Sequence, residues 1–405
     1  MNLRLLRFAP LASILLAAPF GAAAQAAPAA AAASAKLRAP TPPTNTYWAY
    51  VLSEAVDEVA VVTFGPGGAV VDRSFGVGMS ITDPDGPHGV AMAPDGRHVY
   101  ITTAHGRPGG TLWKLPVGEQ VPTANVTLGA FPATVQVSAN GWYAFVVNFN
   151  LYGEMEPSTV SVVATKEMIE VARIPTCTMP HGSRLNATGT RHYSACMMDE
   201  TLVEIDAERL NVARHFFLTE GKEMGMEGVP ARRGVTGAVA GSAAASHGGH
   251  GMEPPAREDV SCSPTWAQPS ADGARIWVAC NKSSEIVEID VARWSLVRRI
   301  KVRDGVYNLG VTRDGVKLIA TNKRDQSVSV FDAHSGAELA RIATTRRVVH
   351  GVAVTPDDRY AFVTSEGVGS EPGSVDIIDL TALTRVASVA VGPQAGGVDI
   401  WKVTP

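Results

Sequence analysis

One phrase returns six times along this chain: an apolar run, a tight Asp-Gly-like turn, then a strand rich in β-branched and aromatic residues. Its copies are PHGVAMAPDGRHVYITTA, PATVQVSANGWYAFVVN, PHGSRLNATGTRHYSACM, PTWAQPSADGARIWVACN, YNLGVTRDGVKLIATN and HGVAVTPDDRYAFVTSE. Each reads as a β-hairpin. The turn residues Gly96, Gly141, Gly189, Gly273, Gly315 and Asp358 are spaced 45, 48, 84, 42 and 43 residues apart, and the doubled gap marks an insertion. The period is that of a four-stranded propeller blade, about 40 to 45 residues. A lone blade leaves its faces bare and its edge strands unpaired, so the repeat predicts an all-β chain closed into a ring.

Two more short strands follow each hairpin, such as ETLVEID with NVARHFFL, or SEIVEID with SLVRRIKV. Six units are complete. The N-terminal part supplies YWAYVLSE, DEVAVVTF and GAVVDRSF, which match the second, third and fourth strands of a blade, and the C-terminal GGVDIWKV matches a first strand alone. Joined, they predict a seventh blade made of three N-terminal strands plus the C-terminal strand. The expected fold is therefore a seven-bladed β-propeller.

The second strands, seen as AYVLS, VYITTA, AFVVN, IWVACN, LIATN and AFVTS, resemble those of the YVTN-repeat β-propellers over nearly all of residues 44–405. The resemblance implies the fold. It leaves function to the site, because propellers serve as enzymes, metal proteins and scaffolds alike. A net charge of −4, from 35 basic and 39 acidic residues, gives no electrostatic footprint for nucleic acid. With 45% hydrophobic residues the chain is not disordered.

Residues 1–24 read as an export signal: Arg4 and Arg7, an apolar run from Phe8 to Phe20, then the small residues Ala22, Ala23 and Ala24. Residues 25–43 read as an Ala/Pro-rich flexible tether, and 219–260 as a loop insertion within the propeller. The apolar run is too short to cross a bilayer, and no later segment approaches that length. These features predict a monomer without a membrane span, periplasmic or secreted, in a compartment where disulfides form.

Eight residues before each turn lies a hub position on the innermost strand: His88, Ala133, His181, Thr265, Tyr307 and His350, with Gly396 in the closing blade. Each of the three histidines is followed by glycine, Gly89, Gly182 and Gly351, where backbones must pack closely. Three imidazoles on one centre form the ligand set of catalytic zinc and of many copper sites. The expectation is a tri-histidine metal site at the channel mouth, holding copper first and zinc second; the bland alternative is structural histidines bonded to backbone carbonyls. The insertion adds Met224, Met226, His247, His250 and Met252, a thioether and imidazole set that favours copper if the loop caps the hub. His98, His192, His215 and His334 are expected on the surface.

The four cysteines form two repeat-equivalent pairs, Cys177 with Cys196 and Cys262 with Cys280, and read first as two disulfides within blades that hold the base of the insertion. Copper ligation, helped by Met179, Met197 and Met198, is the alternative. Loops from second to third strands bring His105, Glu154, Asp199, Lys282, Lys323, Arg324 and Glu366 to the same face. Glu366 and Lys323 are the candidates for acid, base or anion anchor.

Three functions compete. The first is metal handling or small-substrate redox chemistry, whose copper form resembles the propeller domain of nitrous oxide reductase, a domain richer in hub histidines than this one. The second is hydrolysis, since Gly86-Pro87-His88 ahead of the Asp-Gly turn is similar to a phrase of propeller lactonases. The third is a scaffold whose decorated face docks a small-molecule ligand or a periplasmic protein partner.

Overall fold

The computed structural model describes residues 39–79, 82–106, 109–230 and 261–405. The export signal, most of the tether and the insertion residues His247, His250 and Met252 lie outside the described residues.

Seven antiparallel sheets form the ring. Blade one comprises Pro87–Met92, His98–Thr103, Thr111–Pro116 and Ala124–Thr127; the five blades after it repeat the same inner-to-outer order. Blade seven takes its innermost strand from Ala395–Thr404 and its other three from Thr46–Ser53, Glu58–Gly65 and Gly68–Gly76. Thr46 pairs with Thr404 and Ser53 with Ala395, so the two ends of the chain are stitched together along a whole strand.

The predicted turns occupy the left-handed region: Gly96 at φ 67°, Gly141 at 76° and Gly315 at 71°. Asp358, the one non-glycine of the set, adopts φ 59°, and its carboxylate accepts the backbone N–H groups of Arg313 and Asp314 in the neighbouring turn. The carboxylate ties two blades together, which offsets the cost of a Cβ in that conformation.

Strand patterning follows depth. Third strands such as Thr201–Asp206 and Glu285–Asp290 are buried on both faces, whereas outer strands alternate. The glutamates of those third strands are neutralised in place: Arg214 forms a two-bond pair with Glu204, and Arg298 pairs with Glu288. One apolar cluster fills each interface between adjacent blades, for example Tyr193, Phe216, Ile276 and Trp294 between blades three and four. Burying both faces of every blade is what a ring achieves and a single sheet cannot.

Three expectations need correction. Blade three carries a fifth, outermost strand, Met224–Glu227, paired with Asn211–Phe217. Met224 and Met226 are thus exposed on the rim, across the full width of a blade from the hub. His192 and His215 are core residues: His192 stacks on Phe145, and His215 Nδ1 meets the carbonyl oxygen of Gly228, just past the end of that fifth strand, at 2.7 Å.

Candidate functional site

The three hub histidines converge. Ring centroids of His88 and His181 are 6.0 Å apart, and those of His88 and His350 5.7 Å. Their shared local geometry explains the paired glycines. Nδ1 of His88 lies 3.0 Å from the Ala133 carbonyl oxygen, and Nδ1 of His181 lies 3.0 Å from that of Thr265, in each case the hub residue of the next blade. A Cβ on Gly89 or Gly182 would strike those same oxygens at 2.4 Å and 2.3 Å, and one on Gly351 would strike the Gly396 oxygen at 2.4 Å. Glycine lets the strand come close enough for its neighbouring imidazole to reach across the blade interface.

A carbonyl only accepts, so Nδ1 of His88 and of His181 carries a proton. Nε2 of His181 is 3.1 Å from the Tyr307 hydroxyl, which donates to it. Burial holds His181 down to about 3, and burial followed by the charge of Lys323 holds His350 well below the ordinary histidine range. Both are neutral imidazoles at neutral pH. Burial likewise pushes the Tyr307 hydroxyl up to about 12.

A second tier sits where each second strand ends. Lys323 and Glu366 pair at 2.8 Å, and the Lys323 ammonium lies 4.3 Å from the Tyr307 ring centroid. Burial opposes the charge of Lys323, but Tyr307 and Glu366 together raise its pKa, so it remains a cation. On the other side stands Glu54, in the short turn Glu54–Val56 of blade seven, 2.7 Å from His105 Nε2 and 3.9 Å from His88 Nε2. Burial opposes its charge, yet His88 and His105 outweigh that and keep its carboxyl below the usual range. Hydrogen bonding to Glu54 raises His105 in turn.

Glu54 is the mouth carboxylate that the sequence reading did not put forward. It follows AYVLS just as Glu366 follows AFVTS, so the signal was present in the repeat alignment. The other loop residues stand apart. Glu154 and Lys282 are exposed, Asp199 accepts the Thr178 N–H, and Arg324 pairs with Asp304.

Beneath the imidazoles lies a cavity of about 40 Å³ lined by inner-strand residues from every blade, Arg184, Trp266 and Asn308 among them. Beside the mouth an open groove of about 540 Å³ runs along Phe131, Asn150 and Tyr152. Phe131, Phe149, Met179 and Met198 form an apolar cap at this edge, which places Met179 and Met198 in packing. Both disulfides form as expected, Cys177 with Cys196 and Cys262 with Cys280, and the sulfurs are therefore not metal ligands. Glu200 closes the base of the insertion by accepting the N–H groups of Ser261, Cys262 and Ser263.

A copper or zinc ion does not fit the described donors well. Among the described residues no group of three or more His, Cys, Asp or Glu side chains is arranged to hold a metal ion. Nε2 of His181 is already engaged by a tyrosine hydroxyl.

No family model matches the sequence, and no curated protein matches it. Solved structures do match in three dimensions. The periplasmic gluconolactonase PpgL of Pseudomonas aeruginosa aligns with TM-score 0.64 at 15% identity, over 89% of this chain and 99% of that one. A functionally unknown protein from Desulfotomaculum acetoxidans aligns with TM-score 0.61 at 13% identity, over 87% and 98%. Hydrazine synthase of Kuenenia stuttgartiensis aligns with TM-score 0.59 at 17% identity, over 80% and 91%. At such identities the shared property is the propeller fold, and the YVTN resemblance rests on the repeat phrase alone.

Proposed function

We propose that this chain is a hydrolase that opens small lactones at the channel mouth. The observation that carries this reading is the pairing of His88, whose Nδ1 is anchored so that Nε2 offers a lone pair, with the Glu54 carboxylate 3.9 Å from that same nitrogen. A water resting against both would lose a proton to Nε2 as its oxygen attacks the lactone carbonyl carbon. The new C–O bond forms, the ring C–O bond breaks, and the proton held on Nε2 passes to the departing ring oxygen, leaving a hydroxy acid. Glu54 stabilises the transient imidazolium. Lys323, kept cationic by Glu366, is the group of this mouth suited to a developing oxyanion. The likeness in fold to a gluconolactonase supports the reading.

The test is ring opening of aldonolactones by the purified protein, followed by acid release above the spontaneous rate. His88→Gln should lower kcat/KM by about 10²- to 10⁴-fold, the usual worth of a general base. Wild-type protein that never exceeds the spontaneous rate removes the proposal. Stoichiometric copper or zinc that disappears in His88→Ala and His181→Ala would restore metal handling in its place, and a stable partner recovered with a protein that has neither would favour the scaffold.

A further inference from the structure

A guanidinium lining the channel has no direct ion-pair partner among the described residues. Arg184, on the inner strand Pro180–Leu185 of blade three, lines the cavity beneath the histidines. Its Nη1 donates to the Ser183 carbonyl oxygen at 3.1 Å, and its Cζ lies 4.4 Å from the Trp266 ring centroid. The one carboxylate that acts on it, Asp399, does so through space without a direct ion pair. The guanidinium carries five N–H donors and does not deprotonate in proteins, so burial cannot be relieved by neutralisation. Burial lowers its pKa to about 10, which still leaves it charged.

We infer that the channel cavity is a binding site for a monovalent anion of halide to formate size, held by Arg184. The volume suits it: about 40 Å³ accommodates a few water-sized centres, too little for a sugar ring. The surrounding charges permit it. His88, His181 and His350 face the cavity from above, and His192, held near 3 by burial and by Arg184, is neutral behind it. The opposing charge felt by Arg184 is that of Asp399 of blade seven, whose oxygens accept the N–H groups of Met92 and Ile400 at 2.8 Å and 2.9 Å. Burial pushes the Asp399 carboxyl upward, which weakens it as a competing counter-charge.

Bromide is the probe. In crystals grown with sodium bromide, an anomalous peak within hydrogen-bonding reach of the Arg184 guanidinium is expected. In solution, at constant ionic strength against gluconate, bromide should raise the melting temperature saturably, on the order of a few degrees at a hundredfold excess over Kd. Arg184→Gln should abolish that rise, and Asp399→Asn should tighten bromide binding several-fold by removing the competitor. The inference falls if the channel shows no anomalous peak and melting is indifferent to bromide. It falls equally if Asp399→Asn destabilises the protein and bromide does not restore it, since Asp399 would then be the sole counter-charge. Should Arg184→Gln fail to fold, wild type and Asp399→Asn decide. Lactone turnover is not read in any arm, so this result is separate from the hydrolase proposal.

Discussion

At the scale of single residues, the hub joins packing and chemistry in one dipeptide. Gly182 exists because the Thr265 carbonyl needs its space, and that carbonyl in turn fixes which nitrogen of His181 holds the proton. Gly182→Ala should therefore destabilise the fold by at least about 1–3 kcal/mol through overpacking, measurable by urea denaturation, and should disturb the hub even though it removes no polar atom. Acid sensitivity follows from the same tier. His181 and His350 have folded pKa values below the unfolded value of about 6.5, so the unfolded chain takes up protons that the folded chain refuses. Their contribution is complete above about pH 6.5 and is lost as pH falls below it, at up to about 1.4 kcal/mol per pH unit for each group. His105 runs the opposite way: its raised pKa stabilises below about 6.5 and that benefit fades as pH rises past the folded value. Chemical denaturation at pH 7 and pH 5 should show lower stability at pH 5, with the loss reduced in His181→Asn.

At the scale of strands and loops, the repeat made most of the architecture legible and also hid some of it. Hairpins, blade count and both cysteine pairs follow from a period that recurs in register. Glu54 escaped because its blade is split between distant parts of the chain, so its loop does not follow a complete hairpin in sequence. His192 and His215 escaped because position along a strand does not report how many strands will be laid outside it. The fifth strand of blade three is short, with two exposed methionines, and lacks the alternation that marks a half-buried strand. The disulfides close loops with sequence separations of 19 and 18 residues. Replacing Cys262 and Cys280 together by serine should cost roughly 3 kcal/mol by loop entropy, read as a lower melting temperature, while lactone turnover at low temperature persists.

For the whole molecule, seven wedge-like sheets are held by interfaces that each depend on both neighbours. Removing residues 396–405 deletes the inner strand of blade seven and bares Tyr50, Trp48 and His350, whose partners Trp401 and Gly396 go with it. Aggregation during refolding, followed by light scattering, is the expected outcome; a soluble truncated protein with unchanged melting would contradict the closure. The side chains gathered at the mouth come from blades one, three, five, six and seven, which are remote in sequence and brought together only in the ring. Topology alone could bring His88, His181 and His350 together from sequence. Their distances to Glu54, Tyr307 and Lys323 depend on how far each loop leans inward, and that is a property of packing.

The seam of blade seven joins stretches that are remote along the chain: Thr46 and Thr404 lie side by side although 358 residues separate them. Every other blade is built from consecutive strands. This one pairing therefore carries the largest loop-closure cost in the ring, which makes it the slow contact of refolding.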